Sequence, residues 1–148
     1  MPRRSTLTSM RPGALRPSNL RAAWWALRSA RRTRRLLASG GVEAALGPPP
    51  PPRLPADAIR GVRGALRRRG EECLVTSIVL QSWEAAHGRR RDLVIGVTSP
   101  SEFGAHAWLD GDAAPAANAP FKEILRRPLP PAWPEAQEGA LSTGAQAD

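Results

Sequence analysis

The chain holds one cysteine, Cys73, and two histidines, His87 and His106, and the nucleophilic chemistry open to it turns on these three. Cys73 opens the run CLVTSIVLQSWEAAHG, and His106 stands in FGAHAWLD. A cysteine nucleophile acts as its thiolate, which the positive end of a helix and a neighbouring imidazole both favour. The spacing predicts a helix that starts at Cys73 and a strand that carries His106, so the chemistry on offer is acyl transfer by a thiol–imidazole pair. Such a pair needs an Asp or Asn to fix the ring's tautomer and orientation. Each residue also has a structural reading. A lone cysteine before Leu-Val is commonly a small buried hydrophobe, and a lone strand histidine is commonly a hydrogen-bonded structural residue. His87, beside Gly88 and an arginine run, reads as surface. One cysteine excludes an intrachain disulfide and a CxxC site; the Cys/His set lacks zinc-ligand spacing, so no metal is expected. Ser77 and Ser82 lack the glycines of a nucleophile elbow.

The elements that would position these residues follow from punctuation and periodicity. Residues 1–17, with Pro2, Pro12, Gly13 and Pro17, read as a disordered N-terminus. A basic helical region spans 18–47, capped by Ser18 or Asn19, with Leu20, Ala23, Trp24, Leu27 and Ala30 as its buried stripe and an end near Gly40 and Gly41. Residues 48–54 form a polyproline II spacer, since proline cannot continue a helix, and mark a boundary. The core is then 55–127. Its first helix starts near Pro55 and Asp57, buries Ile59, Val62 and Leu66, and stops at Gly70. The Cys73 helix runs to Ala86, with Gln81, Ser82 and Glu84 on its wet side. Arg89 to Arg91 form an exposed turn. Leu93 to Val97 suits a covered strand, and residues 104–110 suit its neighbour, with His106 and Trp108 on one side. Phe121, Ile124 and Leu125 offer one more strand or a helical turn, and 128–148 reads as a disordered tail. The sum is an α+β domain: N-terminal helices plus a catalytic helix packed on a short antiparallel sheet.

The formal charge is +9, carried by arginine, with lysine only at Lys122. Such a balance raises three partners: nucleic acid, a membrane surface and an acidic protein. Nucleic acid is set aside, because no helix-turn-helix punctuation, aromatic platform or zinc site would place the arginines. The basic helix, with Trp24 and Trp25, is either a solvated structural helix or a docking face for an acidic partner or for peripheral membrane contact. No secretory signal and no membrane span is expected, which points to a cytoplasmic protein.

The blocks CLVTSIVLQSW, LVIGVTSP and FGAHAWLD, in that order, resemble the small transglutaminase-like proteases of lasso-peptide biosynthesis, the stand-alone B proteins that cleave leader peptides. The resemblance covers roughly residues 70–125. It implies a small papain/transglutaminase-like domain and a Cys-His-Asp triad, with Cys73 as nucleophile and His106 as base. The third member falls at Asn118, where the family has Asp; Asp112 is the alternative. The resemblance further implies a precursor peptide as substrate, a separate leader-binding delivery protein and an asparagine-synthetase-like cyclase as partners. It implies no intrinsic cofactor, with ATP used by the maturation system. Two other uses of the same fold stay open: a non-catalytic binding module that docks a partner through its basic helix, and an amidase or transglutaminase with another acyl acceptor.

Overall fold

The computed structural model describes residues 16–98, 104–112 and 121–130. Three helices, α1 (Pro17–Ala45), α2 (Ile59–Arg69) and α3 (Cys73–Ala86), precede three strands, β1 (Leu93–Val97), β2 (Ala105–Leu109) and β3 (Lys122–Arg127). The strands form one antiparallel sheet in the order β2-β1-β3, so the architecture is the expected α+β one.

The helix α1 departs from expectation at both ends and around its axis. It begins at Pro17, with Arg16 in the cap position, so neither Ser18 nor Asn19 caps it. Backbone at Gly41 leaves helical geometry (φ 69°), and the chain then resumes helix to Ala45, beyond the end expected near Gly40 and Gly41. The buried face is Ala22, Trp25, Ala26, Ser29, Ala30 and Thr33, whereas Leu20 and Trp24 are 57% and 60% exposed. Small residues win this face because α2 comes very close. A Cβ built on Gly61 of α2 would lie 2.1 Å from the Asn19 carbonyl oxygen. Only a glycine there, facing a stripe of alanine and serine, permits that approach.

One apolar cluster joins the three helices: Ala22, Trp25 and Ala26 of α1, Val62 and Leu66 of α2, and Val75, Val79 and Trp83 of α3. The basic helix therefore shares its core with the chain beyond the proline run. That run folds back on α1, where the Trp25 indole N–H donates to the Pro49 carbonyl at 3.0 Å. The helix α2 follows a 3-10 turn over Ala56–Ala58, buries Val62 and Leu66 as expected, and ends at a left-handed Gly70.

The helix α3 has the expected bounds but a different wet side. Gln81 and Ser82 are fully buried and Glu84 nearly so. All three side chains are anchored, although the Gln81 Oε1 atom has no partner among the described residues. Gln81 donates to the carbonyls of Arg91 and Arg127, Ser82 to that of Ile78, and Glu84 accepts from Arg91 at 3.1 Å. His87 is likewise no surface residue. Its ring lies against Trp83 with centroids 4.6 Å apart, and its two nitrogens meet the carbonyl oxygens of Trp83 and Leu54. Phe121 precedes β3, the strand option at that position, although Ile124 on it is exposed. Arg126 on β3 reaches Asp92, Asp110 and Glu123, and its hydrogen bond holds the Glu123 carboxyl below the usual carboxylate range. Most of residues 1–17, and the tail from 131 onward, lie outside the described residues.

Candidate active site

Cys73 is the first residue of α3 and is half-buried. The cap residue, Glu72, makes no side-chain cap bond, and no acidic residue lies in the first turn. First-turn N–H groups of a helix lack intrahelical partners, so this end presents backbone donors and the positive pole of the helix beside the thiol. Glu71, just before it, is drawn away by Arg34 of α1 at 3.2 Å.

The same helix is anchored to the strand that carries His106. Bonds from Thr98 N to Gly104 O and from Asp110 N to Asp92 O close the two ends of the β1–β2 ladder. Even-numbered β2 residues therefore exchange the ladder bonds, and the carbonyls of Ala107 and Leu109 point to the free edge of the sheet. Ser77, one turn on from Cys73, donates to the Ala107 carbonyl at 3.0 Å. Arg91 donates to the Leu109 carbonyl at 3.1 Å. At the other end of α3, Gln81 reaches the ends of β1 and β3. The helix thus crosses the sheet obliquely, with its Cys73 end at the outer edge of β2.

The side chains nonetheless diverge. Cys73 packs with Leu74 and Ile95 on the cluster that contains Ala107, Ile78 and Leu93. Successive strand residues face opposite sides. His106 accordingly shares the other face with Trp108, whose ring is stacked with it at 6.2 Å, and with Phe121 at 5.6 Å. Gly96, the partner of His106 across the ladder, leaves room for this aromatic group: a Cβ there would come within 2.7 Å of the Trp108 ring. Among the described residues no hydrogen bond joins the Cys73 thiol to the His106 ring. Asn118 lies outside the described residues. Asp112 lies within them and is bound to Arg91 at 2.7 Å, not to His106.

The main buried ion pair of α3 lies at the end of the helix away from Cys73, between Glu84 and Arg91. Burial alone would weaken the hold of Arg91 on its proton, but hydrogen bonds to Asp112 and Glu84 outweigh it and raise its pKa. The carboxylate of Glu84 is 5% exposed and faces Arg63, Arg89 and Arg91. Sequence reading passed over Ser77 as a positioning group. Its signal was available, since Cys73 and Ser77 stand four apart on one helical face. Arg91 had no such signal within a run of three arginines. Among the described residues no group of histidine, cysteine and acidic side chains could hold a metal ion, and no helix is long and apolar enough to cross a membrane.

A family model described as the transglutaminase-like superfamily matches residues 15–126, which include all three helices and nearly all of the sheet. The chain belongs to the transglutaminase-like superfamily. No curated protein and no solved structure matches it. Membership defines the class: a fold on which cysteine-protease and transglutaminase chemistry is generally built.

Proposed function

We propose that this protein is a cysteine peptidase that removes the leader from a lasso-peptide precursor in the cytoplasm. The observation that carries the reading is Cys73 at the uncapped start of α3, held by Ser77 against the edge of the His106 strand, in a chain of this superfamily. The three sequence blocks around Cys73, Val94 and His106 supply the substrate class. In this mechanism the Cys73 thiolate attacks the carbonyl at the leader–core junction and forms a thioester. His106 protonates the departing amine, and water then releases the leader as its carboxylate. Backbone N–H groups at the start of α3 stabilise the oxyanion. The reaction requires β2 to rearrange so that the His106 ring leaves Trp108 and Phe121 and crosses to the thiol's side of the strand, with Asn118 as its orienter, since Asp112 is engaged by Arg91. A separate leader-binding protein delivers the precursor. An asparagine-synthetase-like cyclase, which uses ATP, takes the freed core.

One observation favours a second reading. The thiol and the imidazole stand on opposite sides of β2, which suits a non-catalytic module that keeps the fold. Cleavage of a precursor reconstituted with its delivery protein separates the two. Cys73→Ala should abolish cleavage, and Asn118→Ala should slow it about 100-fold or more, with Asp112→Ala nearly silent in rate. Undiminished cleavage by the Cys73→Ala protein would sink the peptidase reading.

A further inference from the structure

The face of α1 turned away from the helical core forms one wall of a groove, and the proline run forms the other. Its cavity volume is about 890 Å³, and its walls carry Arg21, Trp24, Arg28, Arg32 and Arg35 against Pro49 and Pro52. Trp25 lines the groove and ties the two walls together through its bond to the Pro49 carbonyl. Trp24, 60% exposed, offers an apolar ring, and the Arg28 guanidinium sits 5.8 Å above it.

Charge sets this groove apart from the rest of the helix. Arg34 of the same helix is paired with Glu71, and Arg16 just before it with Asp57. On the sheet, Arg126 and Arg127 have carboxylate partners, Arg127 with Glu43 of α1 itself. None of the five arginines of the groove, which include Arg31, has a carboxylate partner among the described residues, and no acidic residue lines the walls. Five uncompensated guanidinium groups along one cleft repel one another and favour any ligand that brings carboxylates to their forks.

From these observations we infer that the groove binds an extended acidic peptide bearing an apolar side chain for Trp24. Length supports a linear ligand. Arg21 to Arg35 spans roughly 20 Å of helix at 1.5 Å per residue, the reach of about six extended residues. A single small anion would leave most of these arginines unmatched. A nucleic acid strand would need a row of stacking rings, and here the one well-exposed indole already has a guanidinium over it. A flat bilayer surface would not fill a cleft between the helix and the proline run. The inference does not depend on catalysis at Cys73.

The test is fluorescence anisotropy on the full chain near 0.15 M salt. The probe is a fluorescein-labelled octapeptide of Asp and Glu with a central Leu; parallel arms use phosphatidylglycerol vesicles and single-stranded RNA. The acidic peptide should bind, and an Arg28→Glu/Arg32→Glu variant should weaken it about tenfold or more. Trp24→Ala should weaken it several-fold, while Arg67→Glu/Arg68→Glu, on exposed α2 positions outside the groove, should change it little. The circular-dichroism melting curve of each variant must match that of the parent chain, since every replaced side chain is exposed. Absence of peptide binding would overturn the proposal. So would equal weakening by both charge-reversal pairs, or Arg28- and Trp24-dependent binding of vesicles or RNA with none of the peptide.

Discussion

Glu84 shows how much of this molecule rests on single charged residues. Its carboxylate is 5% exposed, which is costly for an ion unless partners surround it. Three arginines do so, but Arg63 and Arg89 stand at 3.9 and 3.8 Å and are themselves exposed. Exposed pairs at such distances contribute little. Arg91 is the effective partner, at 3.1 Å and 13% exposed. It also donates to the carbonyls of Leu109 and Asp110 and to Asp112, so one guanidinium binds the end of α3 to the end of β2. Arg91→Ala should therefore destabilise the protein by about 3 kcal/mol, the scale of a broken buried pair, whereas Arg90→Ala should change little. Urea unfolding of the two variants checks this, and equal midpoints would refute it. Nothing in the string Arg89-Arg90-Arg91 distinguishes its members. The difference arises only when β1 starts at Leu93 and fixes which arginine turns inward.

Among the elements, α2, α3 and β1 were legible because their ends are written in glycine, proline and charge. Gly70 stops α2, Gly88 follows α3, and apolar residues fill β1. The buried face of α1 was not legible. Apolar periodicity selects Ala30, which is buried, but also the large residues Leu20 and Trp24, in whose place the fold buries Ala22, Ala26 and Ser29. Close helix packing rewards small size more than hydrophobicity, and its cause, Gly61, sits far along the chain in α2. Gly61→Ala decides which effect is larger. Helix propensity favours alanine by about 1 kcal/mol. Against it, the new Cβ would lie 2.1 Å from Asn19 backbone, which cannot swing aside as a flexible side chain would. Overpacking of this kind costs about 1–3 kcal/mol, and the shared cluster of Ala22, Val62 and Trp83 would open with it. A net loss of stability is expected in urea or thermal unfolding. A gain would show that α1 and α2 part without cost. The candidate site was half legible by the same logic. Local pattern puts Cys73 at a helix start and His106 on a strand, but the side of β2 on which each stands is set by register and by the oblique crossing of α3.

At the scale of the whole molecule, the proline run is held at two points and so acts as a strap across the helical layer. At one end the Trp25 indole bonds the Pro49 carbonyl; at the other a His87 ring nitrogen meets the Leu54 carbonyl at 3.0 Å. The second tie reaches α3, the helix that begins with Cys73, so the strap links the basic helix to the helix of the candidate site. A neutral histidine ring donates to only one of the two carbonyls it faces, and a doubly protonated ring donates to both. If the run moves as one body, its two ties must be energetically coupled. Trp25→Phe and His87→Ala should each cost about 1 kcal/mol or somewhat more, the scale of a buried hydrogen bond. The double variant should lose about 0.5–1 kcal/mol less than the two single losses together, because the first release already frees the segment. Trp83 touches both rings and could transmit coupling by itself, at 5.6 Å to Trp25 and 4.6 Å to His87. A second readout removes that ambiguity. Trypsin should cut the Arg53–Leu54 bond faster in either variant, with the product identified by mass: the Arg53 side chain is already exposed, but the protease must draw the chain around it off the surface. Additive energies with an unchanged cut at Arg53 would mean that the prolines lie on the surface without strapping it.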